Sequence, residues 1–170
     1  MFDPAIAQAI PGLRGVGLWL VCVGLGFAVG WCLGRWWFVP AIVGAALGGM
    51  LIPFANVFEP KLPGMGWSQA PWLLAAIAVE AVSIVWVIRH FSSDEDRLVR
   101  ALLLAVAAHF VLMIPAFGWP MAAFTIASLL LAGLGWRARQ HIPRLPLCLA
   151  DSALKLGFGG WMVALTTTGL

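Results

Sequence analysis

Four ionisable side chains, Glu80, His109, Asp151 and Lys155, stand inside stretches that are otherwise almost wholly apolar. A charge in hydrocarbon costs several kcal/mol, so residues of this kind are usually paired or functional. Asp151 and Lys155 are four positions apart, which puts them on one face of a helix and lets them pair. Glu80 then needs a partner from another helix. Lys155 is the expected one, and with Asp151 the three would form a carboxylate–ammonium–carboxylate triad. The alternative is a neutral Glu80, because burial disfavours the charged form of a carboxyl group. At 1.5 Å per helical residue, Glu80, Lys155 and His109 lie roughly 15, 12 and 18 Å from the same side, and Asp151 about 6 Å. The first three share a layer. Such a set is suited to bind or pass a proton, a cation or a small polar solute. The competing reading is a structural polar clasp between helices.

Other chemistries find less support. Haem ligation would need a second histidine at the depth of His109, and His90 and His141 fall in polar connections. A metal site would need more ligands nearby, so no metal is expected, and these side chains specify no particular cofactor. Neither Gly-x-Ser-x-Gly, His-Glu-x-x-His nor a phosphate-binding glycine loop is present. Ser83 and Ser152 have no evident base. An intramembrane enzyme acting through Glu80, His109 and Asp151 is therefore the third reading, behind solute or ion binding and a non-catalytic subunit of a membrane complex.

The elements that must position these residues follow from composition. Of 170 residues, 62% are hydrophobic and 10% charged, with a mean hydropathy of +0.98. A globule of this size has too much surface to hide that much apolar area. A soluble enzyme, a nucleic-acid module and a disordered regulator are excluded, and the chain reads as an all-α integral membrane protein. Its apolar stretches predict one domain over 1–170, a polytopic bundle of about six transmembrane helices. The expected spans are about 13–33, 38–57, 69–88, 98–116, 120–136 and 147–168. Apolar character from Leu98 to Trp136 is too long for one crossing of about 20 residues, and Pro115 to Pro120 marks a hairpin within it. The count falls to five if that break is re-entrant. Closed barrels would show short alternating segments instead.

Charge orients the bundle. Arg35, Arg89, Arg97, Arg100, Arg137, Arg139 and Arg144 flank the odd-numbered connections, whereas Arg14 and Lys61 lie on the other side. The positive-inside rule puts the seven in the cytoplasm and both termini outside the inner (plasma) membrane. The net charge of +3 therefore sets topology and implies no nucleic acid. Trp36, Trp37, Trp67, Trp72, Trp119 and Trp136 fall near expected span ends, where an amphipathic ring suits the interface. Pro53 should kink the second helix. Gly26, Gly30 and Gly34, with Gly44 and Gly48 on the next stretch, repeat at intervals of four, which forms a groove for close helix packing. That packing is internal, or it serves a homo-oligomer or a membrane-protein partner; the lipid bilayer is the other surrounding. Cys22, Cys32 and Cys148 read as small fillers of helix interfaces.

Asp151-Ser-Ala-Leu-Lys155-Leu-Gly-Phe158-Gly159 resembles the last helix of microbial rhodopsins. The resemblance covers nine residues and implies a chromophore linked to Lys155. Rhodopsins have seven helices, with an arginine and carboxylates in the third, and this chain lacks that helix.

Overall fold

A computed structural model of the chain describes residues 9–33, 37–52 and 66–167. Among them every regular element is helical: α1 (Leu13–Cys32), α2 (Phe38–Leu51), α3 (Ala70–Phe91), α4 (Glu95–His109), a 3-10 turn (Phe110–Met113), α5 (Ile114–Arg137) and α6 (Arg144–Thr166). Four stretches are long and apolar enough to cross a membrane: Leu13–Cys32, Ala70–Phe91, Glu95–Arg137 and Arg144–Thr166. The expected count of six crossings is not supported. α2 has 14 residues, about 21 Å of helix against a hydrocarbon core of about 30 Å. The remainder of its expected span, with Pro53, lies outside the described residues, as do Gly34, Arg35, Trp36 and Lys61.

Glu95–Arg137 runs for 43 residues but is not one rod. A straight helix would hold residues 100 and 135 about 50 Å apart, yet the Arg100 guanidinium donates to the Gly135 carbonyl at 2.6 Å. Phe110 and Phe124 meet edge to face at 4.8 Å. The chain folds back at Gly118, whose φ of 64° and ψ of −152° interrupt α5. That conformation is open to glycine and strained for any L side chain. Pro120 adds to the break, because it has no N–H for the Ala116 carbonyl one turn earlier. Gln69, just before α3, supplies the missing donor through its amide at 2.7 Å.

The contacts cluster in two compact units, Met1–Trp67 with Ser152–Leu170, and Ser68–Asp151. In the first, α1 is shared between two glycine-lined faces. A Cβ on Gly26 or Gly30 would fall on the carbonyl oxygens of Pro40 and Trp37, and one on Gly44 on that of Cys22. Gly48 lies against Trp19 and Cys22. The opposite face carries Gly17 against Gly159, each blocking a Cβ on the other, and Gly24 against Ser152 and Leu156. Gly17 and Gly24 are seven apart, a spacing that a search for fourth-residue repeats passes over. Cys32 is exposed and fills no interface, whereas Cys148 is buried.

The second unit holds the α4–α5 hairpin, α3 and the start of α6. Its hydrophilic segment 92–97, expected to be a connection, already begins α4. Asp94 caps the helix by accepting from the Arg97 N–H at 3.0 Å. Glu95 and Asp96 fill its first turn, where the positive end of the helix dipole favours carboxylates.

Candidate functional site

Glu80 lies ten residues into α3, and His109 is the last residue of α4 before the 3-10 turn. Their side chains meet, with His109 Nε2 3.9 Å from Glu80 Oε2. The histidine side chain is 3% exposed and the glutamate 28%. Phe110 tilts against the imidazole at 4.0 Å between ring centres, and Phe124 abuts Phe110 in turn. A carboxylate and an imidazole can each take up a proton or bind a cation. A 3-10 segment inside a longer helical run often marks a hinge or local strain; here it follows His109 directly.

In the sequence Glu80 and His109 share a depth, but the partner expected for Glu80 is Lys155 and not His109. Glu80 lies in one unit and Lys155 in the other. Lys155, 1% exposed, sets its ammonium 5.2 Å above the ring of Phe27. Phe27 stacks on Trp31 and Trp37, and those indoles stack on each other at 4.5 Å. A desolvated cation over an aromatic face gains about 2 kcal/mol or more, which helps a lysine to stay buried. Trp37, expected at a boundary, belongs to this cluster. Asp151 is also buried, four residues before Lys155 on α6. No three His, Cys, Asp or Glu side chains gather to hold a metal ion among the described residues.

A family of unknown function, DUF6609, matches residues 10–168, nearly the whole chain. The chain belongs to that family. No curated protein and no solved structure matches it. DUF6609 membership thus brings no activity with it, and function must be argued from the side chains.

In this DUF6609 chain Arg100 has a structural role that its place in the sequence does not announce. Arg100 looked like a flanking topological charge, but it is 1% exposed. Its Nε donates to both Asp96 carboxylate oxygens at 3.0 and 2.9 Å, and its terminal nitrogens to the carbonyls of Gly135 at 2.6 Å and Ile142 at 2.7 Å. Gly135 is in the last turn of α5, whose carbonyls have no donor within the helix. Arg100 thus closes the hairpin at its open end.

Proposed function

We propose that the chain is a small multi-pass protein of the inner membrane that binds or moves a proton or small cation at Glu80 and His109. Four apolar stretches of crossing length among the described residues support the membrane setting, and Arg89, Arg97, Arg137, Arg139 and Arg144 favour a cytoplasmic place for their side. The observation that carries the site is the 3.9 Å approach of the carboxylate and imidazole within an apolar helical unit. Purified full-length protein in liposomes, loaded with a pH-sensitive dye, tests it. A proton leak or proton-coupled cation flux is expected, lost in Glu80→Gln and in His109→Gln while both variants stay monodisperse. Flux unchanged in these variants, or absent from the wild type, overturns the reading.

The second reading is a non-catalytic subunit of a membrane assembly. Of the 22 residues of α3, only Ala76 and Val87 are buried, and the partly exposed Glu80 lies on this poorly covered helix. A carboxylate at that depth gains from cover by another helix, from a protein partner or a second copy. Native mass spectrometry after mild solubilisation separates the readings: an assembly subunit retains its partner and tolerates Glu80→Gln.

A further inference from the structure

At the opposite end of the second unit from the Gly118 turn, a concavity of about 460 Å³ opens between the end of α3, the start of α4 and the end of α5. Arg97, Arg137, Arg139 and His141 line it together with Phe91 and Trp136. The acidic run beside it is nearly accounted for. Asp94 holds Arg97 at 3.1 Å, Asp96 holds the buried Arg100 at 2.9 Å, and Glu95 holds Arg144 at 2.8 Å. Of the three guanidiniums of this unit left over, Arg137 and Arg139 face this concavity and Arg89 lies outside its lining. Arg139 comes only within 3.9 Å of Asp94 and Asp96, each already bonded to another arginine. Arg137 makes no hydrogen bond or ion pair among the described residues.

We propose that this concavity binds an anionic phosphate group, carried by a lipid headgroup or by a soluble phosphate compound. The guanidinium fork donates pairs of parallel N–H bonds that match phosphate oxygens. Arg137 and Arg139 together offer more donors than one carboxylate can accept. A volume of this order admits a small ligand. Phe91 and Trp136, edge to face at 6.0 Å, give the site an apolar wall on the side where the apolar helices begin. Basic pockets in that position between membrane helices suit anionic headgroups. The negative C-terminal ends of α3 and α5 oppose an anion there. Arg100 offsets that of α5 by donating to the Gly135 carbonyl. The rival account, that the two arginines serve only as topological charges, gives no reason for both to line one concavity. The site is independent of Glu80 and His109.

The test is native mass spectrometry of the full chain in detergent, titrated separately with phosphatidylglycerol, phosphatidylcholine and inorganic phosphate. Wild type should bind phosphatidylglycerol or inorganic phosphate, and Arg137→Gln with Arg139→Gln should weaken that binding about tenfold. Arg89→Gln, a basic change near the same end but outside the concavity, should leave it unaltered. Preference for phosphatidylglycerol over phosphatidylcholine, with no hold on inorganic phosphate, assigns a lipid headgroup. Retention of inorganic phosphate in lipid-free protein assigns a soluble phosphate compound. Arg137→Gln alone, which loses no bond among the described residues, replaces the double variant if circular dichroism shows that variant unfolded. Equal binding by wild type and these variants, or no phosphate ligand bound by wild type, overturns the proposal.

Discussion

Arg100 is the residue on which the hairpin's open end depends. Replacing it by methionine leaves Asp96 without its closest cation and strips donors from two carbonyls, Gly135 and Ile142. The expected loss is about 3 kcal/mol, measured as thermal unfolding in detergent. Lysine should rescue little, because one ammonium cannot span acceptors that a planar fork reaches in three directions. Recovery of wild-type stability in Arg100→Lys would reduce the interaction to simple charge. Nothing local in the sequence announces this role. Arg100 follows an acidic run near a span end, where a topological charge also belongs, and its carbonyl partners lie 35 and 42 residues away. The ionisable residues inside apolar stretches were legible for the opposite reason: Glu80, His109, Asp151 and Lys155 each break a hydropathy pattern that needs no partner to be seen. Which of them meet was not legible, because residues at equal depth on different helices give the same linear signal whether or not those helices are neighbours.

Glycine and proline decide the elements. The run from Pro115 to Pro120 is readable as a reversal, since two prolines and a glycine within six residues cannot sustain a helix. The Gln69 amide that satisfies Ala116 is not readable, being 47 residues distant. Gly118→Ala should cost about 1–3 kcal/mol by forcing a side chain into its φ of 64° and ψ of −152°. Gln69→Leu should cost about 1–3 kcal/mol by leaving a buried carbonyl without that donor. Thermal melts in detergent check both, and wild-type stability in either would mean that the turn relaxes freely. The glycines of α1 and its neighbours divide in the same way. Gly17→Leu and Gly30→Leu should abolish folded yield, because each side chain would grow into a backbone carbonyl. Gly160→Ala meets open space and should add up to about 1 kcal/mol of helix preference. Normal yield from Gly30→Leu would mean that α2 can move away from α1 at little cost.

Over the whole molecule, hydropathy identifies an apolar helical chain but cannot distinguish a long span from a folded one. Glu95–Arg137 passes as a single 43-residue stretch by length and composition, while the bond from Arg100 to Gly135 brings its two ends together. Each arm has about 20 residues, enough for one crossing. A stretch folded back in this way is expected to enter and leave a membrane on one face. Arg89, Arg97, Arg137, Arg139 and Arg144 all cluster near the ends of that stretch or of the adjoining helices, so the positive-inside rule predicts that face to be cytoplasmic. A cysteine-labelling experiment follows, in a background with Cys22, Cys32 and Cys148 changed to alanine. Ser93→Cys and Gln140→Cys should both react only with a reagent supplied from the cytoplasm, and Trp119→Cys, beside the turn, only with one supplied from outside. Were the stretch a single span, positions 93 and 140 would react from opposite sides and position 119 from neither. Labelling of 93 and 140 from outside would instead keep the hairpin and invert the membrane orientation, carrying the phosphate-binding end to the outer face.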